Sequence, residues 1–331
     1  MLLASASRAH FVDLTVPWWA WVVTAALVGA LLVLDIVVLH RDAHMPTFRG
    51  SLVETMCWLG VGVAFGVVVV VAFGSGAATE YYSGYLIELA LSVDNVFVWA
   101  LLMTFFVVPR EFQHRVLFWG IFGAVFLRAV FVFAGVALVQ RFEWVLVGFG
   151  VFLLYTAWKL WRQDSDDEID PGQNPFLRLV RRVVPSTTDY DGQRLWTRID
   201  GRLLATPLFA VLVLVETTDV LFAVDSVPAV LGVSREQFIV LTSNAFAILG
   251  LRSLYFLLAD MRARFRYLQH GLAVILAFVG LKMILDRWVH ISTPLSLGVI
   301  VAVLAFSVAV SVRIDGRARA VGFDQPESVE R

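Results

Sequence analysis

The 331-residue chain is 59% hydrophobic and only 16% charged, and its formal net charge at pH 7 is −1. The charged residues lie between long apolar blocks, which excludes an ordinary soluble protein and is typical of a multi-span membrane protein. Its single cysteine, Cys57, excludes an intramolecular disulfide and any metal site built from several thiolates. We therefore expect the lipid bilayer as the environment and no nucleic-acid partner.

Nine apolar windows each approach or exceed the roughly 20 residues that a helix needs to cross the hydrocarbon layer. In chain order they are 17–39, 52–73, 84–107, 116–139, 143–161, 205–230, 237–259, 270–289 and 293–312. The first is too long for the apolar part of a signal peptide and no small-residue cleavage site follows it, so we expect it to be retained. The sequence predicts an all-α, polytopic membrane helical bundle over 1–312.

The arginines are unevenly distributed between alternate loops. One set of loops holds most of them: Arg41, Arg49, Arg110, Arg115, the cluster within 162–202, Arg262, Arg264, Arg266 and the tail after Arg313. The opposite loops hold only Arg8, Arg141, Arg235 and Arg287. The positive-inside rule then predicts an N-terminus outside and a C-terminus inside a bacterial inner membrane. Segments 162–204 and 313–331 become a cytoplasmic loop and a cytoplasmic tail, and the acidic start of the loop is typical of a solvated linker.

Two eight-residue stretches inside apolar windows repeat one pattern of charge. Glu88 stands six positions before Asp94-Asn95, and Asp219 stands six positions before Asp225-Ser226. Ionisable groups at membrane depth are costly unless they are paired, hydrated or bound to a cation, so the pattern predicts an ion or proton pathway. The alternative is a pair of structural, hydrogen-bonded carboxylates.

Further charged residues follow the two motifs at matching distances. The matched pairs are Arg110-Glu111 with Arg235-Glu236, Leu127-Arg128 with Leu251-Arg252, Arg141-Phe142 with Arg264-Phe265, and Lys159 with Lys282. They predict that the third to fifth spans (about 84–161) are repeated by the sixth to eighth (about 205–289). A three-span unit begins and ends on opposite sides of the membrane, so the second copy is inverted, as in many secondary transporters.

Helix geometry limits which carboxylates can face each other. Residues six apart differ by roughly 240° around a helix, so Glu88 shares a face with Ser92 and Asn95 and not with Asp94. Glu216, Asp219 and Ala223 likewise share a face. We expect Pro228 to break or kink the second helix and to turn Asp225 toward that face.

The candidate ligands are all oxygen donors. The predicted metal site comprises Glu88, Asp94, Asn95, Glu216, Asp219, Asp225 and Ser226, with Asp35, His40, Ser92 and Asn244 as accessory residues. Such donors suit Mg²⁺, Ca²⁺ or Mn²⁺, and they do not separate Mn²⁺ from Ca²⁺. Arg128 and Arg252 are candidate counter-charges when no metal is bound. For Lys159 and Lys282, near span ends, we expect snorkelling to the lipid headgroups.

Several of these stretches resemble the TerC family of integral membrane proteins. The resemblance rests on Leu91–Phe97, Glu216–Ala229 and Thr242–Arg252, with Asn174-Pro175 and Arg181-Arg182 in the predicted loop. It implies a manganese exporter in which Glu88, Asp94, Asn95, Glu216, Asp219 and Asp225 match the acidic motifs of the family. The chain departs from many relatives at Leu89, where a lysine follows the first glutamate in those proteins.

Three functions remain open at this stage. The first is a secondary transporter that exports Mn²⁺, in exchange for protons carried by the same carboxylates. The second is a membrane scaffold that binds metal and delivers it to a protein crossing the membrane. The third is an indirect role in tellurite resistance, since clustered carboxylates repel an oxyanion. No phosphate-binding loop and no nucleophile beside a base is found, so we do not expect an enzyme.

Overall fold

The structure is a computed structural model that describes residues 11–35, 48–142, 144–162, 187, 190–199, 202–258, 266–285, 288 and 291–322. Within these ranges the chain forms nine helices and two short strands. The helices are α1 (Trp18–Leu34), α2 (Phe48–Phe105), α3 (Arg110–Arg141), α4 (Trp144–Arg162), α5 (Pro207–Leu231), α6 (Gln237–Leu249), α7 (Leu251–Leu258), α8 (Arg266–Leu285) and α9 (Thr293–Gly322). The strands are β1 (Trp196–Ile199) and β2 (Arg202–Ala205).

Helix α2 is folded back on itself at Gly74. This residue has φ 89° and ψ 173°, a conformation that glycine adopts readily because it has no Cβ. The Tyr81 hydroxyl donates to the Gly62 carbonyl at 2.9 Å, and Tyr85 donates to the Leu59 carbonyl at 3.3 Å. Since residues 19 and 26 positions apart touch, the arms 48–73 and 75–105 run antiparallel and supply the second and third predicted spans.

The helices account for all nine predicted windows. Five of them, α2, α3, α4, α5 and α9, are long and apolar enough to cross a membrane, and α6 with α7 forms a further candidate span bent by 44°. Helix α1 and residues 270–285 are shorter apolar helices. Because α2 contains two arms, each window contains helix among its described residues, and the protein is an all-α, multi-pass membrane protein.

Three details differ from the sequence predictions. Helix α3 begins at Arg110, ahead of its window, and α9 continues to Gly322, into the predicted tail. Helix α5 runs without interruption to Leu231 although it contains Pro228, so the break expected beside Asp225 is wrong. Pro228 lacks the N–H that would bond to the Val224 carbonyl, but it lies in the last turn of α5, which ends at Leu231. The bends occur instead at Gly74 and at Gly250, between α6 and α7.

Helix packing joins the two predicted repeats. The main helix pairs are α2 with α6, α3 with α5 and α4 with α8. The last pair is close because Gly150 and Gly280 face each other: a Cβ on either would lie 2.8 Å from the carbonyl oxygen of the other. A twofold axis relating the repeats would exchange the first two pairs and map the third onto itself. The inverted repeat itself stays a prediction.

At the end of the bundle where α5 leads into α6, a segment of the N-terminal region packs on the helices. The Val12 N–H donates to Glu80 Oε1 at 2.8 Å, and Ser234 Oγ donates to Glu80 Oε2 at 2.6 Å. Lys282 is only 2% exposed and donates to Ser296 Oγ at 3.0 Å. Its ammonium group therefore does not snorkel to the headgroups as expected, whereas Lys159 is exposed.

At the opposite end, β1 and β2 form an antiparallel hairpin directly before α5. Trp196 lies opposite Ala205, and Ile199 lies opposite Arg202. The predicted loop 162–204 thus contains regular structure that the hydropathy pattern did not indicate, because two four-residue strands are too short to affect a span-length window.

Candidate ion site

Arg128 of α3 lies at the centre of the candidate site and is 1% exposed. Its Nη2 donates to Asp219 Oδ1 of α5 at 3.2 Å, and its Nη1 forms an ion pair with Glu88 Oε1 of α2. Both carboxylates are fully buried. A buried arginine is tolerated where such partners replace its hydration, so one guanidinium holds together two acidic helices and α3.

Two amides complete the network around Arg128. Asn244 of α6 donates from Nδ2 to Glu88 Oε2 at 3.0 Å and accepts from Arg128 Nη1 at 3.5 Å. With its amide oxygen facing Arg128, Asn95 accepts from Nη2 at 2.7 Å and donates to the Leu91 carbonyl at 3.1 Å. Four helices thus meet in one buried polar network, and the amides orient both the carboxylate and the cation.

Several oxygens on the same helix faces have no hydrogen-bond partner among the described residues. They are Asp219 Oδ2, Glu216 Oε2, Ser92 Oγ and Ser226 Oγ. Buried polar atoms are normally paired. Ser92 is one turn from Glu88, and Glu216 is one turn from Asp219, so these atoms are oxygen donors beside the network that a cation could use.

Glu216 extends the acidic face of α5 toward α3. Its carboxylate lies against Gly123, where a Cβ would overlap both carboxylate oxygens. It is also close enough to Asp219 for the two charges to repel each other. The absence of a side chain at Gly123 therefore makes room for a second carboxylate beside Asp219.

Asp225 points to a different part of the bundle. It is half-buried and accepts a hydrogen bond from Thr156 Oγ1 of α4 at 3.2 Å, as expected for a residue six positions from Asp219 on an unbroken helix. The side chain of Asp94 and the whole of His40 lie outside the described residues. The predicted approach of Asp94 to Asp225 stays a prediction.

A second buried arginine forms a separate cluster. Arg252 of α7 donates from Nη1 to Asp35 Oδ2 at 3.4 Å, and its Nη2 lies 2.7 Å from His114 Nδ1. Glu54 of α2 adds a negative charge nearby. Sequence reasoning did not single out His114 or Glu54, since neither belongs to a motif, and only the packing of α3 and α2 on α7 brings them there.

No three histidine, cysteine, aspartate or glutamate side chains of the described residues are arranged to hold a metal ion. The guanidinium of Arg128 lies between Glu88 and Asp219. Of the predicted ligands, the structure brings together Glu88, Asn95 and Asp219, with Glu216 adjacent. Arg128 and Asn244, predicted as accessory residues, contact these ligands directly.

Comparison with known proteins places these motifs in a family. Residues 73–319 match the Integral membrane protein TerC family. An uncharacterized membrane protein of Myxococcus xanthus is 44% identical over 292 residues, covering 88% of this chain and 91% of that protein. Alx of Escherichia coli (strain K12), whose name proposes a membrane-bound redox modulator, is 40% identical over 306 residues, covering 90% of this chain and 95% of Alx.

A plant protein is similar as well. The chloroplastic thylakoid membrane protein TERC of Arabidopsis thaliana is 44% identical over 267 residues, covering 80% of this chain and 69% of that protein. No solved structure gives a significant match. Since the family match spans most of the chain, including both acidic motifs, this protein belongs to the TerC family of integral membrane proteins.

Proposed function

We propose that this protein is a secondary transporter that exports a divalent cation, Mn²⁺ above all, through the buried carboxylates around Arg128. The observation that carries the proposal is a positive group already held between two carboxylates from different helices, Glu88 and Asp219. In the transport cycle the metal ion takes the place of the guanidinium. Arg128 thus acts as a tethered competitor that keeps the acidic centre neutralised when no metal is bound.

The charge of the centre suits a divalent cation. Glu88, Glu216 and Asp219 carry three formal negative charges when ionised, and Arg128 carries one positive charge, which leaves −2. One Mn²⁺ or two protons would neutralise this remainder at membrane depth, where an unbalanced charge is costly. Exchange of one metal ion for protons on the same oxygens follows, with the energy supplied by a proton gradient.

The donor chemistry supports Mn²⁺ but leaves Ca²⁺ as a competing cargo. Carboxylate, amide and hydroxyl oxygens are hard ligands. Asn244 donates to Glu88, Asn95 accepts from Arg128, and Ser92 is buried one turn from Glu88 along α2. We further propose that the chain lies in a bacterial inner membrane with its N-terminus outside, as the arginine distribution predicts, and that it catalyses no covalent chemistry.

Two alternatives make different predictions. A scaffold that delivers metal to an exported protein would bind Mn²⁺ without net flux. A redox role through its own thiols has little support, because Cys57 is the only cysteine and no intramolecular dithiol couple can form. A transporter therefore fits the buried charges better than either alternative.

The deciding experiment is uptake of radioactive Mn²⁺ into proteoliposomes that contain only the purified protein. We expect uptake driven by a proton gradient, and its loss in Asp219→Asn, which removes one of the two charges bound to Arg128. Glu111→Gln, an exposed acidic residue in the first turn of α3, is the matched control and should transport normally. Mn²⁺ binding without flux would favour the scaffold, and full uptake by Asp219→Asn would remove the site from the pathway.

A further inference from the structure

Residues 11–16, here called the N-terminal strap, cross the end of the bundle where α5 leads into α6. Three half-buried residues of the strap pack against a buried cluster from α1, α2 and α6: Val12, Leu14 and Val16. They alternate with two exposed residues, Asp13 and Thr15. This alternation is that of an extended segment with one face on the protein, so the strap is a fitted cover over the ends of these helices.

Two carboxylates from different helices hold the backbone of the strap. The Val12 N–H donates to Glu80 Oε1 of α2 at 2.8 Å, and the Leu14 N–H donates to Glu236 Oε2, directly before α6, at 3.5 Å. Among the described residues, no backbone–backbone hydrogen bond joins the strap to the helices. The strap backbone is therefore fastened by acidic side chains, and a rearrangement of either carboxylate would release it.

Below the strap, one face of α2 leads to the acidic centre around Arg128. Glu80, Gly84 and Glu88 are spaced four residues apart, so they lie one above another on this face. At the upper level, Glu80 accepts from Ser234 Oγ at 2.6 Å. Two turns further along, Glu88 accepts from Asn244 Nδ2 of α6 at 3.0 Å and binds the guanidinium. One helix face thus connects the strap with the centre.

A glycine and a serine hydroxyl lie between the two carboxylates. Gly84 is in contact with Ser243 of α6, because a Cβ on Gly84 would lie 2.8 Å from Ser243 Oγ. Ser243 and Glu88 are fully buried, and Glu80 is 1% exposed. The oxygens of Glu80, Ser243 and Glu88 therefore form a column between α2 and α6 that is closed in this structure, with the strap over its outer end.

We propose that the N-terminal strap is a gate for the acidic centre at this end of the bundle. Release of the Val12 N–H from Glu80 uncovers the column, and separation of α2 from α6 at Gly84 then connects Glu88 with water on that side. Carboxylate and hydroxyl oxygens are suitable successive ligands for a divalent cation. What passes the gate rests on the proposed function, whereas its opening can be measured without transport.

Opening is measured at position 243 in nanodiscs that contain the full-length protein. Ser243→Cys in a Cys57→Ser background supplies one buried thiol, whose rate of reaction with a water-soluble thiol reagent reports how often the column opens. Val12→Pro removes the N–H that binds Glu80 and should increase this rate. Thr15→Pro, at an exposed position of the same strap, is the matched control and should leave the rate unchanged. Equal rates in the two proline variants would overturn the proposal.

A second thiol position distinguishes a gate from general loosening of the bundle. Ser311→Cys replaces a buried serine of α9 and should react at the same rate whether or not the strap carries Val12→Pro. An increase at position 311 equal to that at 243 would overturn the proposal, because the strap would then stabilise the whole bundle instead of closing one end.

A disulfide tests the opposite change. Val12 Cγ2 lies 3.1 Å from where a Cβ on Gly76 would be, within reach of a disulfide between Val12→Cys and Gly76→Cys. With the strap fixed in this way in the Cys57→Ser background, we expect loss of Mn²⁺ uptake into proteoliposomes and its recovery after reduction. Val12→Cys alone, exposed to the same oxidant, is the control and should keep its uptake.

Uptake by the oxidised double variant equal to that of the reduced one would overturn the gate. Absence of uptake by the wild type would instead contradict the proposed function. The reaction rates at position 243 would then still decide whether the strap opens.

Discussion

Arg128 and Arg252 occupy matching positions in the predicted repeat, each directly after a leucine, and both are buried, but their surroundings differ. Arg128 binds two carboxylates, Glu88 and Asp219, that come from two helices in the interior of the bundle. Arg252 binds one carboxylate, Asp35, at the end of α1, together with the ring nitrogen of His114. The first arginine neutralises a shared acidic centre, and the second fastens the bend between α6 and α7 to its neighbours.

The difference shows that a repeated residue does not imply a repeated task. A cation can replace an arginine only where at least two carboxylates converge on it, because one carboxylate cannot compensate a divalent ion at membrane depth. By this criterion Arg128, which binds two carboxylates directly, is the candidate binding centre, whereas Arg252, which hydrogen-bonds to one carboxylate, Asp35, with Glu54 nearby, is the candidate structural link. Each prediction below compares the two arginines or the groups around them.

The largest effect is expected from removing the central charge. Arg128→Met leaves Glu88 and Asp219 buried without a counter-charge, which costs about 3–5 kcal/mol for a broken buried pair. Arg252→Met breaks one buried ion pair, that with Asp35, so its cost should lie at the lower end of this range, about 3 kcal/mol. Thermal unfolding of the purified proteins in detergent measures both. Adding Glu88→Gln to Arg128→Met should recover part of the loss, and equal destabilisation by the two single variants would contradict the comparison.

The carboxylates bound to the two arginines should differ in their effect on transport. Asp219→Asn should abolish Mn²⁺ uptake into proteoliposomes. Asp35→Asn should leave uptake measurable, lowered about tenfold at most, the lower end of what the loss of an orienting partner costs at metal sites. The initial rate at several Mn²⁺ concentrations separates affinity from turnover. Should Asp35→Asn be as inactive as Asp219→Asn, the Arg252 cluster would belong to the ion pathway.

A smaller effect is expected from one methyl group beside the centre. Gly123→Ala places a Cβ where the Glu216 carboxylate lies, so the carboxylate must move away from Asp219 and Mn²⁺ affinity should fall. Gly148→Ala in α4 meets nothing within 4 Å and is the control. Calorimetric titration of Mn²⁺ into the two variants measures the difference, and unchanged affinity in Gly123→Ala would exclude Glu216 from the ligands.

The smallest effect concerns pH, at Glu236, the residue before the first turn of α6. Burial raises the pKa of Glu236 above its ordinary value of 4.5, although the Leu14 N–H, at 3.5 Å, opposes the shift. A raised pKa in the folded state means that folding favours the protonated carboxyl. The contribution of Glu236 is therefore fully present below pH 4.5 and is lost as pH rises through the raised value.

Glu236→Gln should accordingly flatten the fall in stability above pH 4.5 while leaving stability below that pH almost unchanged. Unfolding of the wild type and the variant in parallel pH series measures this. Arginine keeps its charge throughout such a series. Removing the Glu236 contribution therefore removes one source of pH dependence that would otherwise overlie the difference in stability between the Arg128→Met and Arg252→Met variants. Parallel pH profiles for the two proteins would show that Glu236 has no part in the pH dependence.

The sequence predicted the helices better than it predicted the contacts between them. Each of the nine hydropathy windows contains helix among the described residues, and helix periodicity grouped Glu88, Ser92 and Asn95, all of which are buried, on one face. Arg128 was a candidate counter-charge from its depth in a span. Its hydrogen bond to Asn244, 116 residues away along the chain, could not be predicted, because hydropathy does not determine which helices are neighbours or how each is rotated.

Other features were missed although a local signal was present. The hairpin strands 196–199 and 202–205 flank Asp200-Gly201, and Asp-Gly between short strands is a strong hairpin signal. The fold-back of α2 left a weaker signal in Gly74, which precedes Ser75 and Gly76 between two apolar windows. Pro228, by contrast, was a signal that misled. Proline generally disrupts helices, but α5 continues without interruption through this residue.

The fold-back at Gly74 has a consequence for the biogenesis of the protein. The arm 75–105 carries Glu80, Glu88 and Asp94, and an aspartate at the centre of a helix costs about 2.5–3.5 kcal/mol to transfer from the translocon into lipid. The arm 48–73 is almost uniformly apolar from Gly60 onward. Because one residue and no loop separates the two arms, we expect them to leave the translocon together, so that the apolar arm carries the charged arm into the bilayer before α3, which bears Arg128, has inserted.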